Sequence, residues 1–546
     1  MTDAPMTEMG TDVLIVGAGP VGLALAIELG LRGVRTTLIE QNQRLAPQPR
    51  AKTTNVRSME HMRRWGIAAA LRASAPLPAD YPTDIIFSTR LFGHRLARIE
   101  NAFNGARVQD DRYSEPAQWI PQFKVEAALR ARVKSLTPVT LLEGVRFGTL
   151  HETADDVTAD IADVTTGARR PITASYLVGA DGARSQVRKV LDIPMQGRHA
   201  FGFNLNYVIR VPALRNLGGL DRAIMYWLVN PECPAVTGPM DLDDVWHYGF
   251  LHSKDVPIPD EAAVKARICR SFGRDVDVEI LVTDAWAAHS LIAESYGTKR
   301  VKLAGDACHL HPPFGGYGMN LGLGDGVDLG WKLAALVRGW GGAALADSYE
   351  TERRPVHQRV IAEAVANYAL LSDHLACPEV EAEGEAGEAV RRALGAAIIA
   401  GKTREFHTLG VVLGSQYSGS PIVVADGTTP PAADHAQYVP SAHPGCLAPH
   451  LWLVDGRSLY DTFGLGFALL VTQDGAEAAI THLVAAAGAA GLPLVVVRPQ
   501  EARLAALYGT TLALIRPDQH VAWRGDRLDR DARAIIDTVR GQGLPQ

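Results

Sequence analysis

The feature that most constrains this chain is a glycine-rich turn between a predicted strand and a predicted helix near the amino terminus. Residues 13–16 read VLIV, an apolar run rich in β-branched residues that is typical of a buried parallel strand. GAGPVG follows at 17–22, a helical pattern continues to about residue 32, and a second strand is predicted at 35–39. This order predicts a βαβ unit in which the turn leads directly into the helix.

Each glycine of this turn has its own physical purpose. Gly17 permits the tight turn, Gly19 lets a pyrophosphate approach the backbone, and Gly22 lets helix and strand pack closely. The free N–H groups at the start of the helix favour phosphate. Glu40 ends the second strand, where an acidic side chain binds a ribose 2′-hydroxyl. The pattern predicts a dinucleotide site and leaves NAD and FAD open. Its predicted residues are Gly17, Gly19, Pro20, Gly22, Glu40 and Gln41.

Two later segments extend the predicted ligand site. An apolar strand ends at about residue 180 in the turn pair Asp181-Gly182, which by itself is a common β-turn. Another strand, at 301–304, ends at Gly305 and Asp306, and a loop with Pro-Pro and Gly-Gly pairs leads from it into a helix. The start of that helix would present N–H donors to a ligand that develops negative charge. A reduced flavin, which is anionic at N1/O2, is such a ligand.

These motifs together resemble those of the single-component FAD-dependent aromatic hydroxylases, the group A flavoprotein monooxygenases. The three motifs occur in the family's order and spacing, and residues 349–355 are similar to its closing helix. The resemblance covers about residues 10–370 and implies an α/β fold, in which a Rossmann-like FAD-binding domain carries an inserted β-sheet substrate domain. The FAD-binding domain is then expected at residues 1–70, 106–189 and 285–375, and the substrate domain at 71–105 and 190–284.

The resemblance also implies site residues by motif match. Glu40 would hold the adenosine ribose, Asp306 would bind the ribityl or pyrophosphate side, and Asp181 would touch FAD and help the nicotinamide cofactor to dock. No second dinucleotide motif is present, which fits transient binding of NAD(P)H and leaves NADH and NADPH open. The FAD contacts implied outside the first βαβ unit are Arg50, Gln122, Asp181, Gly182, Gly305, Asp306, Pro313, Gly316, Gly318, Met319 and Asn320.

The activity implied by the resemblance is hydroxylation of a phenolic or other electron-rich aromatic ring through a flavin hydroperoxide. FAD and NAD(P)H are the expected cofactors, and a small aromatic molecule and O2 are the expected reactants. Three alternatives stay open: Baeyer–Villiger insertion into a polyketide-like ketone, an oxidase or dehydrogenase without oxygen insertion, and a flavin-binding sensor. The intact Asp-Gly motif argues against the sensor, which has no evident need of a nicotinamide dock.

The substrate side is less constrained by the sequence. The strand-like segments 203–210 and 245–250 lie in the inserted region, where the family has a β-sheet over the flavin. Lys52 occupies about the place where phenol hydroxylase has an aspartate base, and it could stabilise a bound phenolate or face solvent. Pro313 would face the substrate beside the flavin. The predicted catalytic residues are Lys52, His247 and Pro313, and the further aromatic candidates are Tyr207, Tyr226, Trp227, Trp246 and Tyr248.

The last third of the chain has a different pattern of predicted strands and helices. Short strands are predicted at 451–454, 467–471, 494–497 and 512–515, with helices between them. Residues 516–524 resemble the closing hairpin of the thioredoxin-like tail of phenol hydroxylase, so we expect a thioredoxin-like domain over residues 400–546. Because the chain has no CxxC motif, we expect a structural or dimer-stabilising role for this domain, and a homodimer is compatible with the chain.

Composition excludes several other classes of protein. A net charge of −6 lacks the basic surplus of a nucleic-acid binder. Five scattered cysteines, without a Cys/His cluster, predict neither a metal site nor a disulfide framework. The amino terminus has no signal-peptide pattern, and polar residues and a proline interrupt the longest apolar stretch, at 478–497. We therefore expect a cytoplasmic protein without a membrane span.

Overall fold

The computed structural model describes residues 9–42, 51–369 and 377–543, which form a mixed α/β fold. The strands are β1 Met9–Val16, β2 Thr36–Glu40, β3 Thr53–Thr54, β4 Ile85–Ser88, β5 Arg95–Ile99, β6 Gln118–Trp119, β7 Val139–Glu143, β8 Val145–Glu152, β9 Val157–Asp163, β10 Arg169–Gly179, β11 Met195–Arg210, β12 Met225–Leu228, β13 Ala235–Pro239, β14 Val245–His252, β15 Glu279–Ala293, β16 Val301–Leu303, β17 His309–Leu310, β18 Phe467–Val471, β19 Leu494–Val497, β20 Leu512–Ile515 and β21 Val521–Gly525. The α-helices are α1 Pro20–Leu31, α2 Val56–Arg64, α3 Ala68–Ala73, α4 Gln122–Lys134, α5 Gln186–Val190, α6 Glu261–Phe272, α7 Gly318–Val337, α8 Ala344–Tyr368, α9 Gly384–Phe406, α10 Leu409–Leu413, α11 Glu477–Ala489, α12 Arg503–Tyr508 and α13 Ala532–Val539. Short 3-10 helices lie at Ala102–Asn104, Pro212–Gly219, Gly305–Ala307, Pro378–Glu381 and Leu459–Thr462.

The first sheet contains the predicted βαβ unit. Its order is β7-β2-β1-β10-β9-β8, and β16 pairs with the carboxyl end of β10. β1, β2, β7, β10 and β16 are parallel, whereas β8 and β9 form antiparallel pairs. Residues 13–16 are almost fully buried, as expected for a parallel strand that is covered on both faces. Parallel pairing brings the carboxyl ends of β1, β10 and β16 to one edge, where the three predicted motifs begin.

The second sheet has the order β17-β15-β11-β14-β13-β12-β4-β5 and is antiparallel except between β4 and β12. The strands predicted at 203–210 and 245–250 are confirmed as parts of β11 and β14. Successive side chains of β12 and β14 point to opposite faces of the sheet, so the aromatic candidates are divided between the two faces. Tyr226 and Trp246 stack on one face, with 5.5 Å between their ring centroids. Trp227 and His247 therefore lie on the opposite face.

Two elements cross boundaries that the sequence suggested. β15 runs to Ala293 and pairs with β11 along its length, so the second sheet continues past residue 284. Helix α9 spans residue 400 and packs on β5, where a Cβ on Gly395 would lie 2.2 Å from the Leu96 carbonyl oxygen. The glycine lets the helix approach the edge strand closely, so the helix belongs to the layer of the second sheet.

The third sheet lies near the carboxyl terminus and has the order β19-β18-β20-β21. β18 and β19 are parallel, and the other two pairs are antiparallel. The prediction of a strand at 451–454 is wrong. Gly456, with φ +81°, makes a tight turn there, and the Leu453 amide therefore donates to the Arg457 carbonyl at 2.8 Å. None of the helices in the described ranges combines the length and the hydropathy that a bilayer-spanning helix needs.

A buried ionic cluster joins the third sheet to helices α7 and α8. Arg516, which follows β20, is fully buried and donates to Glu352 of α8 at 2.5 and 2.8 Å. Its guanidinium also contacts Asp518 at 2.6 Å and Asp328 of α7 at 3.4 Å. Lys332 lies 2.7 Å from Asp328 and 2.6 Å from Glu352. The carboxylates of this cluster are therefore occupied by cationic side chains.

Candidate active site

The glycine-rich turn has the geometry that its sequence predicts. Gly17 has φ +103°, and a Cβ there would lie 2.5 Å from the Ala180 carbonyl oxygen. A Cβ on Gly22 would lie 1.9 Å from the Gly17 oxygen. In contrast, a Cβ on Gly19 would meet no described atom within 4 Å. The chain's own backbone therefore requires Gly17 and Gly22, whereas Gly19 leaves open space of the kind a pyrophosphate needs.

The start of α1 offers unpaired donors to that space. Gly19 is the N-cap, Pro20 is the first helical residue, and no described side chain caps this end or places an acid in its first turn. Glu40 accepts hydrogen bonds from the Ala18 and Asn42 amides, both at 2.9 Å, which fixes its carboxylate beside the turn. Gln41 is exposed. A phosphate at the helix and a ribose at Glu40 fit this arrangement.

The other two motifs meet the glycine-rich turn at the same sheet edge. The Ala180 amide donates to the Val16 carbonyl at 2.8 Å, and a Cβ on Gly305 would lie 2.7 Å from Val21 of α1. Asp306 is exposed at this edge. Asp181 accepts from the Gln186 and Val187 amides at 2.6 and 3.1 Å and so caps α5. Its Oδ1 is buried without a described hydrogen-bond partner, and Gly182, at φ +79°, has open space beside it.

The loop 312–318 leads from this edge to the start of α7. Gly315 and Gly316 have φ of +83° and +65°, a conformation that favours glycine, and Pro313 is exposed. Gly318 and Met319 begin α7, whose amino terminus no described side chain caps. Asn320 donates to the Thr53 and Gly316 carbonyls at 2.9 and 2.7 Å and accepts from the Asn55 amide at 2.9 Å. Asn320 thus ties this loop to the segment that carries Lys52.

A buried carboxylate behind the loop was not predicted as a site residue. Asp325 accepts from the Gly305 amide at 3.0 Å, from Arg353 Nε at 2.8 Å, and from His309 and His357 at 3.0 and 2.8 Å. Burial would raise the pKa of this carboxyl, but His357, Arg353 and His309 hold it well below its ordinary value. The signal in the sequence was an acidic residue inside a glycine-rich, apolar helix. Burying a charge there is unfavourable unless the charge is paired.

Lys52 and His247 are neighbours in the structure. Burial lowers the pKa of Lys52 to about 8. Burial also lowers the pKa of His247 well below its ordinary value, and the Lys52 charge lowers it further. His247 Nε2 is buried without a described hydrogen-bond partner, and its ring centroid lies 6.4 Å from that of Trp119. The two predicted catalytic side chains are therefore close enough to interact electrostatically, and the lowered pKa leaves His247 neutral at pH 7.

The remaining predicted contacts lie at the border of this region. Gln122 begins α4, donates from its amide to the Ala51 carbonyl at 2.8 Å, and donates from Nε2 to Glu126 at 2.7 Å. Its position next to Ala51 places it beside the Lys52 segment. Arg50 lies outside the described residues.

Replacing Gly19 by threonine is expected to weaken FAD binding about 100-fold while the apoprotein folds normally. Threonine caps a helix about as well as glycine, and the space around Gly19 admits the side chain, which would then exclude the pyrophosphate. Fluorescence titration of the apoprotein with FAD measures the change. Gly10→Thr is the matched control, because Gly10 also has open space but lies at the other end of β1. Unchanged FAD affinity in Gly19→Thr would contradict this placement.

Comparison with known proteins adds an independent observation. Residues 10–364 match the family model described as "FAD binding domain", and residues 441–542 match "Aromatic-ring hydroxylase, C-terminal". The chain is 32% identical to the FAD-dependent monooxygenase apdD of Emericella nidulans, over 97% of this chain and 90% of that protein. It is 31% identical to the tetracenomycin B2 monooxygenase-dioxygenase of Streptomyces olivaceus, over 98% of both chains. The solved structure of the rebeccamycin biosynthetic enzyme RebC with reduced flavin shares 35% identity at a TM-score of 0.90, covering 98% of this chain and 100% of that one.

Proposed function

The chain belongs to the family of FAD-dependent aromatic-ring hydroxylases, and we propose that it uses NAD(P)H and O2 to hydroxylate a phenolic or other electron-rich aromatic substrate. The observation that carries this proposal is the meeting of the three motifs at one sheet edge, with Lys52 and His247 beside the loop that leaves this edge. The comparisons do not favour Baeyer–Villiger insertion, and that alternative is not proposed.

FAD, when bound, supplies the redox and oxygen chemistry, and the protein supplies binding, orientation and electrostatics. Gly19, the start of α1 and Glu40 would hold the pyrophosphate and ribose, with Asp306 near the ribityl chain. The uncapped start of α7 presents N–H donors and a partial positive charge, which suits the negative charge that a flavin gains on reduction. The unpaired oxygen of Asp181 supports a second polar contact at this edge. NADH and NADPH are equally compatible with these residues.

Lys52 is proposed to stabilise the substrate as a phenolate. A phenolate is the better nucleophile, and an ammonium in a poorly solvated pocket favours an anion strongly. His247 Nε2 is the second polar atom in this pocket, and we propose that it hydrogen-bonds the substrate. Pro313 is an exposed residue of the loop 312–318, and we propose that it faces the substrate. No carboxylate base is needed in this arrangement.

The pH dependence of turnover tests the role of Lys52. With a fixed phenolic substrate, kcat/KM is expected to fall as the pH rises through about 8, because the free enzyme then loses the Lys52 charge. Lys52→Arg should extend activity to higher pH, since a guanidinium stays protonated above pH 12, and Lys52→Met should lower kcat/KM about 100-fold. An alkaline limb with the same midpoint in Lys52→Arg and in the wild type would contradict the assignment.

We also propose the domain organisation expected from the sequence. The first sheet supports a Rossmann-like FAD-binding domain, and the second sheet supports an inserted substrate domain whose edges extend to β15 and α9. In the last domain, the strand order β19-β18-β20-β21, with one parallel and two antiparallel pairs, supports a thioredoxin-like topology.

Product analysis under labelled oxygen tests the proposed function. The purified FAD-loaded protein is incubated with NADH or NADPH and a panel of simple phenols, polycyclic phenols and aryl ketones. The expected result is faster NAD(P)H oxidation with a phenol and one labelled oxygen atom in the product. If every phenol yields only hydrogen peroxide, or if a ketone yields a lactone instead, the proposal of aromatic hydroxylation is overturned.

A further inference from the structure

A buried ion pair lies between the loop 312–318 and the second sheet. Lys402 and Glu405, one turn apart on α9, approach to 2.8 Å between Nζ and Oε2, and their side chains are 1% and 5% exposed. Helix α9 itself packs on β5 and so belongs to the substrate-sheet layer. The pair therefore reaches across from this layer to the loop that leads into α7.

Glu405 lies beside the backbone of the loop. Its carboxylate interacts with the Gly315 amide, and this interaction opposes the rise that burial causes in the pKa of Glu405. The carbonyl of the next residue, Gly316, accepts a hydrogen bond from Asn320 Nδ2 at 2.7 Å. Two consecutive glycines with positive φ have no side chains of their own to restrain them. Contacts from α9 and from α7 therefore restrain the backbone of this loop.

Lys402 fixes the same loop to the sheet. Its Nζ lies 4.1 Å from the ring centroid of Trp227 and 5.9 Å from that of Phe314, the loop residue before Gly315. The Trp227 and Phe314 rings lie 6.3 Å apart. Because Trp227 pairs with Val236, and Val236 pairs with Gly249 two residues from His247, Trp227 and His247 lie on one face of the sheet. The ion pair thus connects the loop to the face that carries the proposed substrate contact.

Stability alone does not account for this pair, since a buried ion pair contributes little compared with apolar residues of similar volume. We propose that Lys402 and Glu405 are positioning residues that hold the loop 312–318 against the second sheet. They would thereby keep the substrate correctly placed relative to the flavin. This inference rests on the proposed function. In the productive reaction NAD(P)H, a proton, O2 and the arene give NAD(P)+, the phenol and water. When the substrate is misplaced relative to the flavin, NAD(P)H, a proton and O2 give NAD(P)+ and hydrogen peroxide.

The test compares Glu405→Leu and Glu405→Gln with a matched control. Leucine removes the polar group beside the Gly315 amide, whereas glutamine keeps a polar group there but removes the charge opposite Lys402. The control is Glu363→Gln, which breaks the 2.6 Å Arg404–Glu363 ion pair between the same helix α9 and helix α8. Three quantities are measured on the FAD-loaded protein: hydrogen exchange of the peptide spanning 312–318, the FAD dissociation constant, and the ratio of hydroxylated product to NAD(P)H consumed.

Glu405→Leu leaves Lys402 buried without its counter-charge beside Trp227 and Phe314, so it is expected to speed loop exchange roughly tenfold or more and to lower the product ratio several-fold. Glu405→Gln should recover most of the exchange protection but only part of the product ratio. Glu363→Gln should resemble the wild type. Wild-type exchange and wild-type product ratio in Glu405→Leu, or equal losses in Glu363→Gln, would overturn the inference. A wild-type protein that forms no phenol overturns the proposed function instead, and loop exchange and FAD affinity still test the ion pair.

Discussion

Asp325→Asn is expected to prevent stable FAD binding and to lower the free energy of unfolding by about 3–5 kcal/mol. The carboxylate is fully buried and balances Arg353, which is itself only 5% exposed. Asparagine keeps the shape of the side chain but leaves the guanidinium without a counter-charge. Its NH2 group would face two donors in either orientation: Gly305 and His309 at the Oδ2 position, or Arg353 and His357 at the Oδ1 position. Because Gly305 begins the Gly-Asp motif, the loop to α7 would lose its position together with the network.

Urea denaturation of the apoprotein and FAD titration measure the two effects of Asp325→Asn separately. Asp12→Asn is the control, because Asp12 also pairs with an arginine, at 2.6 Å, but Arg35 is 70% exposed. An exposed pair contributes little, so this variant should match the wild type in both measurements. If Asp325→Asn retains wild-type FAD affinity, the buried carboxylate does not organise the cofactor site.

Arg516→Met is expected to release the last domain from the rest of the protein, with a loss of about 3–5 kcal/mol in the free energy of unfolding. The guanidinium is fully buried between Glu352, Asp518 and Asp328. Without it, Lys332 still contacts Asp328 and Glu352, but Asp518 loses its arginine partner. Repulsion and desolvation then oppose docking of the hairpin between β20 and β21 on α7 and α8.

Thermal unfolding and limited proteolysis check this second result. Arg516→Met should show a separate, earlier transition and faster cleavage before β18. Arg503→Met is the control: Arg503 also contacts a residue outside the last domain, Asp111 at 2.9 Å, but both side chains are more than half exposed. A single transition at the wild-type temperature in Arg516→Met would show that apolar packing, and not the ionic cluster, holds the domains together.

Local chemistry in the sequence was enough to predict a cofactor site at this edge of the first sheet. A tight turn, a close approach to phosphate and a close helix–strand contact each require glycine, so Gly17, Gly19 and Gly22 have one interpretation within a βαβ unit. The motifs at Asp181 and Asp306 follow strands, and parallel strands end at a common edge. These inferences need only residue type and order, and the family resemblance is therefore visible in the sequence alone.

Tertiary structure alone decided the remaining features, because they depend on residues that are distant in the chain. Asp325 becomes a site residue only when α8 supplies Arg353 and His357, and Lys402 and Glu405 matter only because α9 lies over the loop 312–318. Residues 451–454 have the composition of a strand, but the turn at Gly456 takes their hydrogen bonds. Strand register decides which face of the sheet each aromatic candidate and His247 occupy. A shift of one residue would move Trp227 and His247 to the opposite face. Pairing between residues that are distant in the chain is a property of the folded protein, and no local pattern identifies the partners.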